Sequence, residues 1–162
     1  MYEIREMNDS EMESIFRIIN EAAMAYKRVI PEDRWKEPYM PMEELRKEIE
    51  SGVRFYGYYT GRVVAVAGIQ DVLDKTLIRH VYVLPEFQRK GIGGKLVKHL
   101  VDLAENDEVL VGTWEAAWWA IKFYEKYGFR LVSKEEKDFM LRKYWDIPER
   151  QVETSVVLKF EK

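Results

Sequence analysis

Gln88-Arg89-Lys90-Gly91-Ile92-Gly93-Gly94-Lys95 sets glycines among cations, directly after an apolar run and at the start of a helical pattern. In that setting exposed backbone N–H groups and the helix dipole attract an anion. Glycines let the backbone approach phosphate oxygens with no Cβ in the way. Arg89, Lys90 and Lys95 add positive charge at the same mouth. A Walker A loop ending at Gly94-Lys95 would need glycine where Arg89 stands and a hydroxyl where Leu96 stands, so it fails. A dinucleotide fingerprint fails at the same Leu96. What remains is either a glycine turn without ligand or an anion-binding loop of another kind.

The elements that must position this loop follow from periodicity and punctuation. Tyr2–Arg5 is a short strand candidate. Asp9 or Ser10, with Glu13 completing a capping box, opens a helix whose apolar face is Ile15, Ile19, Ala22, Ala23 and Tyr26. The stretch from Arg28 to Met40, with Pro31, Trp35 and Pro38, is a loop. A second helix follows Pro41, with Met42, Leu45 and Ile49 on one face and Gly52 as its stop. Val53–Tyr59 and Val63–Gln70 form a hairpin turning at Thr60-Gly61-Arg62, and Leu77–Leu84 is a third long strand closed by Pro85. Leu96, Val97, Leu100, Val101 and Ala104 line a helix after the glycine loop. A strand Val109–Thr113, a helix carrying Ala117, Ala120, Ile121 and Tyr124, and a strand Phe129–Val132 come next. Lys134–Gln151 is a polar segment, and Thr154–Phe160 is the last strand. Alternating helices and strands predict one α/β (α+β) domain over residues 1–162 with a central sheet.

Composition narrows the chemistry. The absence of cysteine excludes a disulfide scaffold, a thiolate metal site and a cysteine nucleophile. With only His80 and His99 available, a histidine metal cluster is not expected. A net charge of -3 gives no basic footprint for nucleic acid. No apolar run approaches the roughly 20 residues that span a bilayer, so no membrane partner is expected. The polar opening Met1–Glu6 lacks a signal-peptide core, and a cytoplasmic location is expected.

Two segments carry a family resemblance. Val81-Tyr82-Val83-Leu84-Pro85-Glu86-Phe87-Gln88-Arg89-Lys90-Gly91-Ile92-Gly93 resembles the acetyl-CoA signature of GNAT acetyltransferases, and Ala120-Ile121-Lys122-Phe123-Tyr124-Glu125-Lys126-Tyr127-Gly128-Phe129 resembles their second signature. Both occur in the family's order, at a suitable distance. The resemblance implies a mixed, mostly antiparallel sheet of six to seven strands, about four flanking helices and a V-shaped splay. It implies acetyl-CoA as co-substrate, no metal, and transfer of the acetyl group to a primary amine on a small molecule or protein.

By the same resemblance, Val81, Tyr82 and Val83 pair with pantetheine, and Gln88, Arg89, Lys90, Gly91, Ile92, Gly93, Gly94 and Lys95 hold the pyrophosphate. Ala120, Phe123, Tyr124 and Lys126 complete the cofactor set. The backbone N–H of Val83 is the oxyanion donor and Tyr124 the acid for the leaving thiolate; without the signature, Tyr124 would read as a core aromatic. Ala117 stands where relatives often carry asparagine, which removes one side-chain contact.

The base is less legible. Leu77 occupies the place where many relatives hold a glutamate. His80, on the opposite strand face by alternation, and Glu115, after the fifth strand candidate, are the alternatives, with a water chain to solvent as a third. The acceptor site would draw on Tyr26, Trp35, Tyr39, Trp118, Trp119, Tyr144 and Trp145, otherwise explained as packing or a homodimer contact. Two rival readings stand beside the enzyme: a non-catalytic CoA-sensing module, separated by its lack of turnover, and a partner-binding domain, separated by its failure to bind CoA.

Overall fold

The computed structural model describes all residues 1–162. Thirteen elements follow in chain order: β1 (Glu3–Glu6), α1 (Met12–Ala22), α2 (Met42–Glu50), β2 (Arg54–Tyr59), β3 (Val63–Val72), β4 (Lys75–Val83), α3 (Ile92–Leu103), β5 (Glu108–Trp114), α4 (Trp118–Lys126), β6 (Arg130–Leu131), α5 (Lys134–Tyr144), α6 (Glu149–Glu153) and β7 (Ser155–Glu161). They build one seven-stranded sheet in the order β1-β2-β3-β4-β5-β7-β6. Every pairing is antiparallel except β4 with β5. Every residue of Val63–Gln70 is buried, so both sheet faces are covered there. Helices α1 and α3 lie against β3 and β4 and supply much of the main core, including Ile15, Ile18, Ile19, Leu96, Val97 and Leu100. No helix is long and apolar enough to cross a membrane.

Three expectations need correction. The cap expected at Asp9 or Ser10 is instead Asn8, ahead of the first helix: Asn8 accepts from Ser10 N–H at 3.0 Å, and Glu11 reaches back to Asn8 N–H at 3.1 Å. Asn8 with Glu11 makes the capping box, in place of Ser10 with Glu13, and a single 3₁₀ turn at Asp9–Glu11 leads into α1.

The polar segment Lys134–Gln151 contains α5 and the start of α6, which raises the helix count above the four expected. Its sequence disguises a buried stripe, Lys137, Met140, Leu141 and Tyr144, at i, i+3, i+4 and i+7. Lys137 enters that stripe because its ammonium donates to Val152 C=O at 2.8 Å and pairs with Asp138 at 2.8 Å. Met140, Leu141 and Tyr144 pack with Leu77, Leu110, Val152 and Val157 in a second apolar cluster. Leu77, where a base was sought, therefore belongs to packing under α5.

The third correction concerns alternation in β4. Val66 faces Tyr82 and Gly68 faces Arg79, so β4 carries one extra residue across from Ala67. His80 sits in this bulge with φ +57°, in the left-handed region. Counting faces by parity fails across such a bulge.

Candidate active site

Strands β4 and β5 pair in parallel at only three positions, Thr76 with Val109, Leu77 with Leu110 and Ile78 with Val111. Beyond these they part. The diverging residues Arg79–Val83 of β4 and Gly112–Trp114 of β5 line a cleft of about 560 Å³. Gly112 lies on its floor, beside the Trp145 indole and Leu141.

At one end stands the glycine loop. Arg89 and Gly91 both adopt positive φ, +66° and +78°, and Gly91 is the left-handed residue that starts α3. Lys95 is the first residue of α3 whose N–H bonds back, to Gly91 C=O at 3.1 Å. The N–H groups of Ile92, Gly93 and Gly94 precede it and belong to the orphan donors of a helix start. Gln88 ties the loop to the end of β4 by donating to Val83 C=O at 3.0 Å. Arg89, Gly91, Ile92, Gly93 and Gly94 line the cleft; Lys90 and Lys95 do not, and their ammonium groups lie over the rings of Phe87 and Tyr2, at 5.6 and 4.5 Å.

The middle is closed by α4. Ala120, Phe123, Tyr124 and Lys126 line it together with Tyr127. Tyr124 packs edge-on against Phe123 at 5.0 Å and Phe129 at 5.7 Å. Burial pushes its hydroxyl well above the ordinary tyrosine range, with Tyr26 adding to the effect, so it holds its proton at neutral pH.

His80 also lines the cleft, and it has a partner that sequence reasoning missed. Its Nε2 lies 2.5 Å from Oε1 of Glu48 on α2, while Arg79 reaches the same carboxylate at 3.5 Å. Burial opposes charge on Glu48, but the His80 charge and hydrogen bond, then the Arg79 charge, outweigh it and hold the carboxyl below its usual range. The two residues are 32 apart in sequence, and no local signal marks the pairing. Glu115 is exposed and outside the cleft, its N–H held by Thr154 C=O at 2.9 Å.

At the far end Tyr26, Tyr39, Tyr82, Trp114 and Trp119 form an aromatic wall, and Trp145 lines the cleft beside Gly112. Asn20 fixes one side of it by accepting from Met40 N–H at 2.8 Å and donating to Met40 C=O at 3.0 Å, which holds the loop carrying Tyr39 against α1. Trp35 stacks behind Tyr39, Trp118 is exposed, and Tyr144 bonds Asp74 in the second apolar cluster, so these three do not line the cleft.

The acetyltransferase (GNAT) domain model matches residues 9–141. This chain belongs to that family. The GNAT domain is 40% identical over 73 residues to a [ribosomal protein bS18]-alanine N-acetyltransferase of Salmonella typhimurium, covering 42% of this chain and 48% of the relative. It is 33% identical over 97 residues to the Escherichia coli protein of the same description, covering 55% of this chain and 64% of that one. The matches thus span between about half and two thirds of these curated relatives. In fold, the GNAT domain is similar over its whole length to a PaiA N-acetyltransferase from Thermoplasma acidophilum in complex with coenzyme A, with TM-score 0.74, 17% identity and 99% of that chain covered.

Proposed function

We propose that this chain is an acetyl-CoA-dependent N-acetyltransferase that moves the acetyl group to a primary amine by direct attack in a ternary complex. The observation that carries the proposal is the splay: a bare strand edge, Arg79–Val83, runs from the orphan donors of α3 to the buried Tyr124 hydroxyl. That arrangement suits a long molecule with a phosphate end, an amide-bearing arm and a reactive terminus. The bound coenzyme A in the Thermoplasma acidophilum structure and the activity of the ribosomal-protein acetyltransferase relatives point the same way.

The residues present fit such a co-substrate. Gly91 has open space where a Cβ would sit, at a φ that side chains avoid, beside orphan donors and the Arg89 cation. In the reaction the amine nitrogen attacks the thioester carbonyl, the Val83 N–H faces the developing oxyanion, and the C–S bond breaks. Tyr124 donates to the departing thiolate. The nitrogen loses its proton towards His80 or solvent. A preorganised oxyanion donor supplies about 2.7–4 kcal/mol of such a barrier.

A thermal-shift titration with acetyl-CoA, CoA and longer acyl-CoAs, paired with a thiol-release assay, tests this. Binding to the native state alone stabilises by about 2.7 kcal/mol at a hundredfold excess over Kd. No shift with any of these ligands would remove the proposal. A shift without thiol release towards any amine would favour the sensing module.

A further inference from the structure

No Asp or Glu lines the cleft; its charged or protonatable side chains other than tyrosine are Arg79, His80, Arg89 and Lys126. The Arg79 guanidinium is already engaged by Gln70 and Glu48, at 3.1 and 3.5 Å. At the aromatic end the ring of Tyr26 lies 5.6 Å from Tyr39, 6.1 Å from Trp119 and 6.3 Å from Tyr82. The Trp114 indole N–H donates to the Tyr39 hydroxyl at 2.7 Å. Burial pushes Tyr26, Tyr39 and Tyr82 above their ordinary range, so none supplies a negative charge at neutral pH.

These facts decide what acceptor the wall suits. An acceptor with a second ammonium group would bury it with no counter-ion, which is costly. A peptide N-terminus brings several amides that need partners, and besides the tyrosine hydroxyls the polar side chains at this end are only Thr113, Ser155 and Gln151, whose carbonyl oxygen already accepts from Arg34 at 3.3 Å. The aromatic side chains that line this end offer a flat apolar body rings to pack against. Its single amine, desolvated beside aromatic walls, is shifted towards the neutral form that attacks.

We propose that the acceptor is a small arylalkylamine, one primary amine on a short chain from an aromatic ring; this rests on the acetyl-transfer reading above. The nitrogen gains a bond to the acetyl carbon and loses a proton. The carbon–sulfur bond breaks, and the thiolate takes a proton. The products are a neutral N-substituted acetamide and free CoA thiol.

The test compares kcat/KM for tryptamine, 2-phenylethylamine, spermidine and a short peptide beginning with alanine, using the full chain and acetyl-CoA. The two arylalkylamines should exceed both others by about tenfold or more, the ratio set by a free-energy difference like that of one aromatic pair. Trp119→Ala should raise KM for tryptamine while the acetyl-CoA thermal shift persists. Spermidine or the peptide matching or beating the arylalkylamines would overturn the proposal, as would acetyl-CoA binding with no arylalkylamine turnover. Absence of the acetyl-CoA shift itself would instead overturn the acetyl-transfer reading, and this proposal with it.

Discussion

Glu48 on α2 and His80 in the β4 bulge meet at 2.5 Å, so the helix that closes one side of the fold is tied to a residue lining the cleft. The contact joins a carboxylate held below its usual range to an imidazole whose backbone sits at φ +57°. Strained positions of this kind persist only where surrounding contacts over-determine them.

Its pH consequence has a definite sign. A carboxyl with a depressed folded pKa adds stability that is fully present above the unfolded value, about 4.3 for glutamate. That contribution is lost as pH falls through the folded value. Glu48→Gln should therefore lower stability at neutral pH and flatten the acid limb of a melting-temperature profile. A variant profile parallel to the wild type from neutral to acid pH would show that the pair carries no linkage.

Catalytic rate should answer the question of the base separately. On a confirmed amine, kcat/KM should climb towards the amine's own pKa, because only the free amine attacks. His80→Gln and Glu115→Gln should keep that profile. An inflection at neutral pH that vanishes only in His80→Gln would make His80 the base.

Tyr124→Phe removes one hydroxyl from a ring wedged between Phe123 and Phe129, so the packing should stand. Turnover should drop by about 10²–10⁴ while acetyl-CoA affinity changes little. Turnover within a factor of about two of wild type would make Tyr124 a core aromatic, since a positioned acid is worth far more.

The loop glycines should separate by role. Gly91 has open space around it but sits at φ +78°, so Gly91→Val should abolish acetyl-CoA binding through its side chain and add local backbone strain without a packing clash, leaving the circular dichroism near wild type. Gly94 instead packs under Tyr127, whose ring and hydroxyl occupy the place of a Cβ. Gly94→Ala should cost about 1–3 kcal/mol in urea unfolding, the usual range for overpacking. Equal loss of affinity with unchanged stability in both variants would contradict this division.

Much of this was legible because it is local. The glycine loop, the strand before it and the helix it opens occupy a continuous run, and each residue's part follows from its neighbours. The His80 bulge was not legible, since it exists only relative to Ala67 on the partner strand. The pairing with Glu48 bridges two elements with no sequence signal between them. In α5 the buried Lys137 hid a helical stripe, because its polarity is satisfied by Val152, a residue of the next helix. Tyr26, Tyr39, Trp119 and Trp145, expected together from the sequence, do line one cleft, whereas Trp114, a strand terminus, gave no sign of joining them.

The three-residue parallel pairing of β4 with β5 leaves the molecule with a sheet edge in its interior. Edges at the rim of a sheet invite other chains to add strands, and proteins blunt them with charge or bulges. This one is walled by α4 and the aromatic side chains, so its backbone groups are open to a slender guest and closed to a neighbouring protein. A guest that hydrogen-bonds along Arg79–Val83 would act as a missing strand, slowing amide exchange there and along Gly112–Trp114. The two halves of the sheet, joined by only three residue pairs when the cleft is empty, would then be coupled along the rest of β4 as well.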